Sequence, residues 1–247
     1  MRQAEADSYP ARRSIVSVNP VDYKVRSSAA PPPGAAKVIG YDAAGVVVEA
    51  GPQASLFRLG DEVFYAGSIV RSGTNAEFHL VDERIVGHKP RSLGFAEAAA
   101  LPLTSITAWE ALFDRMDIRK PVVGAAPSVL IIGGAGGVSS IAIQLVRVLT
   151  DLSVVATASR PETRSWVKDI GAHHVIDHGK PIAEQVAALG IGAPGFVFST
   201  THTADHLKEI VELIAPQGRL ALINNEPQEL SALADGKGGS VDHSEHR

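Results

Sequence analysis

The stretch Val129-Leu-Ile-Ile-Gly-Gly-Ala-Gly-Gly-Val-Ser-Ser-Ile-Ala-Ile-Gln-Leu145 constrains this chain more than any other. Its unbroken apolar start suits a parallel strand covered on both faces. The glycines that follow make a tight turn, and the pattern after them is that of a helix. Strand, turn and helix together build an anion site, because backbone amides can approach a diphosphate and the helix N-terminus adds partial positive charge. Gly134, Gly136 and Ser139 hold the three key positions of a GxGxxG dinucleotide fingerprint, with serine in place of the last glycine. The candidates to cradle a diphosphate are therefore Gly134, Ala135, Gly136, Gly137 and Val138.

The flanking pattern fits this reading. From Pro127 onward the chain alternates strand and helix. Strands are predicted over Val129–Ile132, Ser153–Ala158, His174–Asp177, Phe196–Ser199 and Arg219–Ile223. Helices are predicted over Ser140–Thr150, Pro161–Ile170, Ile182–Leu189 and Ala204–Ile214. Such alternation predicts a doubly wound parallel sheet. Up to about residue 90 the chain reads instead as short strands with Gly/Pro turns, a small barrel or sandwich. Between the two, Phe95–Leu103 is alanine-rich with Pro102 interrupting it, and Thr107–Met116 has helical spacing. After Pro227 the chain is polar and lacks apolar periodicity, so a disordered tail is expected over 228–247.

Composition narrows the function classes. The 247 residues are 45% hydrophobic, enough for a real core, and the formal net charge of −4 gives no general case for nucleic acid or an anionic membrane. No apolar run is long enough to span a bilayer, and the N-terminus lacks the apolar core of a signal peptide, so a cytoplasmic location is expected. There is no cysteine, which excludes disulfides and thiolate metal sites.

The second strand of a dinucleotide fold ordinarily ends in an acidic residue that takes the ribose of NAD. Here it ends Ala156-Thr-Ala-Ser-Arg160. A hydroxyl and a guanidinium suit a 2′-phosphate, because arginine grips phosphate with a planar fork. Ser159 and Arg160 therefore favour NADP(H) over NAD(H), with Arg164 either reinforcing the site or lying on the surface.

Several further segments, in order, carry a resemblance. They are Ser17-Val-Asn-Pro-Val-Asp-Tyr-Lys-Val-Arg26, Gly40-Tyr-Asp-Ala-Ala-Gly-Val-Val-Val48, Gly60-Asp-Glu-Val63 and Ala99-Ala-Leu-Pro-Leu-Thr-Ser-Ile-Thr-Ala-Trp109. With the glycine turn they resemble the medium-chain dehydrogenase/reductase superfamily over residues 15 to 227. The similarity is to its zinc-independent, quinone oxidoreductase-like branch, whose bacterial members are often labelled zinc-binding alcohol dehydrogenases. The resemblance implies a GroES-like β-barrel domain over 1–101, a Rossmann domain over 102–227, and hydride transfer from NADPH to a small quinone or to an alkene conjugated to a carbonyl. It also implies that Thr104 and Thr107 line the nicotinamide side, although both equally suit helix capping. Phe198, Ser199 and Ile223 end strands of the sheet and are expected on the cofactor side.

In zinc-dependent relatives a cysteine stands near the Asn19 region and Gly-His-Glu occupies the place of Gly40-Tyr-Asp42. This chain has neither, so no metal is expected. The histidine groups His202/His206 and His173/His174/His178 read better as surface polar residues than as ligands. Without a metal, hydrogen-bond donors must stabilise charge on the acceptor's carbonyl oxygen. Asn19 and Lys24 are the candidates, with Tyr41 a second donor and Asp22 a residue that orients the loop. The plainer readings, a turn at Asn19-Pro20 and a surface charge at Lys24, stay open.

The ends depart from the family pattern. Residues before Ser14 do not resemble its opening strands, and the final Rossmann strand, which pairs across a homodimer in relatives, is expected to be absent. A protein that binds NADP without turnover is therefore the alternative reading, with a zinc-type alcohol dehydrogenase less favoured.

Overall fold

The structure is a computed structural model that describes residues 8–28, 30–223 and 240–243, with side chains over 15–28 and 30–223. The chain divides between Thr104 and Ser105 into two compact units.

The first unit is built on an antiparallel sheet. Its strands are β1 (Ser8–Ser17), β2 (Asp42–Val47), β3 (Glu62–Ala66), β4 (Phe78–Asp82) and β5 (Val86–His88), in the order β4-β1-β2-β3-β5. β2 is apolar on both faces because both are covered. Ala43 and Val47 join Val63, Tyr65 and Val81 in one cluster, while Ala44 packs against Ala98 and Ala99 of helix α2 (Phe95–Ala99). β1 begins at Ser8, inside the stretch expected to lack a family strand, and pairs with both β2 and β4. Helix α1 (Pro20–Ser28) also departs from the sequence reading. Asn-Pro there signals a turn, but proline at a first helical position is compatible with a helix start, since its missing N–H would be unpaired anyway.

Helix α3 (Pro102–Trp109) crosses the division. Pro102 starts it rather than interrupting it, and it widens into a π-helical stretch over Glu110–Arg115, where the Met116 N–H donates to the Ala111 carbonyl at 3.0 Å.

The second unit holds a parallel sheet of β6 (Ala126–Ile132), β7 (Ser153–Thr157), β8 (His174–Ile176), β9 (Pro194–Ser199), β10 (Arg219–Leu222) and β11 (Ser240–His243). The helices are α4 (Gly137–Leu149), α5 (Pro161–Asp169), α6 (Ile182–Ala188) and α7 (Thr203–Leu213). The order β8-β7-β6-β9-β10-β11 counts 3-2-1-4-5-6 along the chain, the doubly wound arrangement that the alternation predicts. Both faces of β6 are buried. Val129 and Ile131 pack with Ala142, Ile143 and Val146 of α4, and Leu130 and Ile132 lie in the other cluster with Ile182 of α6 and Ile210 of α7. Burial of each such side chain stabilises the fold by about 2 kcal/mol.

The tail needs correction. Ser240–His243 form β11 and run parallel to β10, where the sequence reading expected no order and no final strand. The remaining tail residues fall outside those described. No helix among the described residues is long and apolar enough to cross a membrane.

Candidate functional site

The sheet reverses its winding between β6 and β9, and ligands of such sheets bind beyond the strand ends at that point. The glycine turn lies there. Gly133 has a φ of +80°, and a Cβ at this position would lie 2.7 Å from Thr200 Oγ1, so the turn after β6 runs tightly against the segment after β9. A Cβ on Gly134 would meet Ala156 Cβ at 3.0 Å, the Thr157 carbonyl at 3.0 Å and Val167 Cγ1 at 3.2 Å. The turn is thus pressed onto β7 and α5. Thr157 fixes it from two atoms, accepting the Gly133 N–H through Oγ1 at 2.9 Å and the Gly134 N–H through its carbonyl at 3.0 Å. Sequence reasoning passed over Thr157, which looks like an ordinary β-branched strand residue.

Gly136 is the N-cap of α4 and has no side chain to cap it. The first amides of the helix, on Gly137, Val138 and Ser139, have no intrahelical acceptor. Ala135 and Val138 are half-buried and lean on the core, while Gly136 and Gly137 are exposed. The arrangement is a glycine cradle at a helix N-terminus, and it fits a diphosphate. Ser139 is fully buried, with its Oγ 2.9 Å from Thr200 Oγ1. Thr200 gives its own proton to the Ile132 carbonyl at 2.9 Å, so Ser139 is the donor to Thr200.

At the tip of β7, Ser159 Oγ lies 3.2 Å from His178 Nε2, and Arg160 is exposed at the N-cap of α5. Arg164 is held by the strands beside it. Its guanidinium donates to the carbonyls of Ala158 at 3.0 Å and Val175 at 3.2 Å, and so clamps the ends of β7 and β8 together. Phe198 and Ser199 are fully buried in β9. Phe198 belongs to the core and Ser199 Oγ bonds Thr203 Oγ1 at 2.7 Å, so neither side chain is presented to a ligand. Ile223 is half-buried against the core beyond β10. Thr107 is buried in α3.

In the first unit, Asn19, Asp22, Tyr41 and Asp42 are all buried. Asn19 Nδ2 donates to Asp42 Oδ2 at 2.7 Å, and Asp42 Oδ1 accepts the Leu103 N–H at 2.8 Å. Asp22 Oδ2 accepts the Asn19 backbone N–H at 2.7 Å, while its Oδ1 is buried without a hydrogen-bond partner. Burial pushes the Asp42 carboxyl up to about 6, and Asp22 adds to the rise, against the Asn19 and Leu103 donors that hold it down. Burial, with the charge of Asp22 second, raises the Tyr41 hydroxyl above its ordinary value, so it stays protonated and able to donate. Lys24 stands on the exposed side of α1. The Thr104 hydroxyl donates to the carbonyls of Ala100 at 3.2 Å and Leu101 at 3.0 Å, bonding back to the preceding turn rather than accepting an amide as a helix cap does. Sequence reasoning missed Asp42 as a centre of this cluster, because nothing in the string reveals its complete burial.

These residues do not fit zinc. The chain has no cysteine, and among the described residues no three His, Cys, Asp or Glu side chains gather as a metal set. Asp42 engages both its oxygens with N–H donors. The histidines have separate partners, His178 with Ser159, His173 Nδ1 with the Val154 N–H and His202 with Thr201.

Comparison with known proteins agrees with both halves of the chain. Residues 11–110 match the alcohol dehydrogenase GroES-like domain family, and residues 137–236 match the zinc-binding dehydrogenase family. A zinc-type alcohol dehydrogenase-like protein of Staphylococcus aureus is 42% identical over 232 residues, covering 93% of this chain and 68% of that protein. A crystal structure of a Rhizobium etli protein assigned to the zinc-dependent alcohol dehydrogenases is 66% identical, with a TM-score of 0.93 over 96% of this chain and 69% of the other. A quinone oxidoreductase of Pseudomonas syringae is 26% identical, with a TM-score of 0.81 over 97% of this chain and 73% of its own. The chain belongs to the medium-chain dehydrogenase/reductase superfamily of oxidoreductases, among its quinone oxidoreductase-like members.

Proposed function

We propose that the protein is an NADPH-dependent reductase that passes hydride to a quinone, or to an alkene conjugated to a carbonyl, without zinc. The observation that carries this reading is the tip of β7. It ends in Ser159 and Arg160 where an NAD enzyme places a carboxylate, next to a glycine cradle with an uncapped helix behind it. In this reading residues 1–101 form the catalytic domain and 102–227 the cofactor domain. Gly134 to Val138 form the cradle for the diphosphate, with the first-turn amides of α4 as its donors because the Gly134 and Gly136 N–H groups already serve the Thr157 and Gly133 carbonyls, and Ser159 with Arg160 holds the 2′-phosphate. Thr104, Thr107 and Ile223 are the residues assigned to the nicotinamide end in this reading. Phe198 and Ser199 support that end from within the core.

Bound NADPH would supply the hydride. The protein then has to stabilise the oxygen that becomes negative and to return a proton. The second amide hydrogen of Asn19 and the protonated Tyr41 hydroxyl are the donors for that oxygen, and the Lys24 ammonium is the proton source. The zinc-type names of relatives imply another chemistry, but this chain's donor set does not supply it. The family resemblance adds a homodimer as the assembly to test.

Fluorescence titration with NADPH and NADH, followed by absorbance assays with quinones and enals, tests the reading. NADPH should bind more tightly than NADH, and Arg160→Gln should remove the difference. Binding without oxidation by any acceptor would select a non-catalytic NADP-binding protein. Absence of binding would refute both.

A further inference from the structure

Asn19 does not act as an asparagine at a helix start ordinarily does. An N-cap asparagine accepts a first-turn N–H through its side-chain oxygen. Here the side chain donates instead, through Nδ2, to a carboxylate in another segment. The helix end is closed from the opposite direction by Asp22, whose carboxylate reaches back to the Asn19 backbone N–H. Asp42 is fully buried and uses both oxygens, one on Asn19 and one on Leu103. A single carboxylate thereby joins the turn before α1, the first residue of β2 and the start of α3.

This geometry fixes the amide. An amide oxygen turned toward Asp42 would face a carboxylate oxygen with no proton between them, so the NH2 side must point at it. We propose that Asp42 is a positioning residue: its carboxylate sets the polarity of the Asn19 amide, so that Asn19 offers its remaining N–H and its carbonyl oxygen to an acceptor in one fixed order. The proposal rests on the reductase reading for its catalytic consequence, but not for the arrangement itself.

The charged group that acts on Asp42 is Asp22 on α1. Tyr41 beside it is neutral, and α3 contributes a backbone N–H. When Asp42 gains a proton, with its carboxyl titrating at about 6, one acceptor oxygen becomes a donor. Two N–H groups then compete for the oxygen that remains, and the reversed Asn19 amide becomes the better partner. Asp42→Asn imposes the same reversal at every pH. Its side-chain oxygen can serve the Leu103 N–H while its NH2 faces Asn19.

The test uses the full-length, ¹⁵N-labelled protein without ligand. The side-chain amide signals of Asn19, assigned by their loss in Asn19→Asp, are followed from about pH 5 to pH 8. They should titrate with a midpoint of about 6, the value to which burial raises the Asp42 carboxyl. In Asp42→Asn they should show the low-pH signature throughout. With NADPH and a quinone, Asp42→Asn should lower kcat by about 10- to 100-fold while the NADPH Kd stays unchanged. An Asn19 amide that ignores pH, or a wild-type kcat in the variant, overturns the proposal. The wild-type titration decides alone if the variant does not fold. It also needs no turnover, so a protein that reduces no acceptor refutes the reductase reading and leaves this result standing.

Discussion

Gly134 is the position where the packing of the second unit and its proposed cofactor site depend on the same atom. Its φ is ordinary, so conformational freedom is not the reason for glycine. The reason is space. An added methyl would meet three atoms at 3.0, 3.0 and 3.2 Å, where ordinary contact begins at 3.4 Å. One of the three is the Thr157 carbonyl, which is backbone and cannot rotate away. The turn must therefore lift from β7, and the bond from the Gly134 N–H to that carbonyl stretches from 3.0 Å. Overpacking of this kind costs about 1–3 kcal/mol, or roughly 3 to 12 °C in melting temperature for a unit of this size. A displaced turn also moves its amides, so NADPH binding should weaken by about tenfold. Gly134→Ala should be compared with Gly136→Ala by thermal unfolding and NADPH fluorescence titration. A methyl on Gly136 would meet only the Gly133 carbonyl, at 3.3 Å, and should lower the melting temperature less than Gly134→Ala does, although it stands where the diphosphate approaches and should also weaken NADPH binding. If Gly134→Ala melts within about 1 °C of wild type and binds NADPH equally well, the packing argument is wrong.

Three further outcomes follow from buried polar groups. His79 is buried, with Nε2 donating to the Ser72 carbonyl at 2.8 Å and Nδ1 accepting from Tyr65 Oη at 3.0 Å, and burial lowers its pKa below the ordinary 6.5. The unfolded chain therefore binds the proton first, so the stability that His79 contributes is full above pH 6.5 and is lost as pH falls. Asp42 has the opposite sign, its contribution being full below 3.8 and lost as pH rises through about 6. Denaturant unfolding should show the wild-type advantage over His79→Gln shrinking on acidification, and the advantage over Asp42→Asn growing; a constant difference in either case counts against the assignment. Ser128→Ala should be neutral or stabilising by up to about 1 kcal/mol, because the hydroxyl is buried without a partner, and a clear loss in urea unfolding would refute that. Arg164→Met should cost about 2 kcal/mol and weaken NADPH binding by freeing the tips of β7 and β8, whereas unchanged stability would show that the clamp carries no load.

The parallel sheet was legible because β6 is buried on both faces and so reads as an unbroken apolar run, with glycine and proline marking the helix ends. The β7 tip was legible for a different reason, since a missing carboxylate is visible in any string. Helix α1 was not legible, because Asn-Pro has the same local chemistry in a turn as at a helix start. β11 was hidden by its polar, glycine-rich surroundings, and its strand conformation comes from pairing with β10 rather than from its own pattern. Asp42 was read only as a lost zinc ligand. Its two bonds span 23 and 61 positions, and no local periodicity encodes contacts of that range. Arg164 was ambiguous for the same reason, its acceptors being fixed only when β7 and β8 lie side by side.

The most direct test of the central claim is the steady-state rate of NADPH and NADH oxidation with a quinone acceptor, measured before and after exhaustive chelation. The account predicts a kcat/KM for NADPH at least about tenfold above that for NADH, through Ser159 and Arg160, and no change on chelation. A preference for NADH, or activity lost with chelator and restored by zinc, would contradict it.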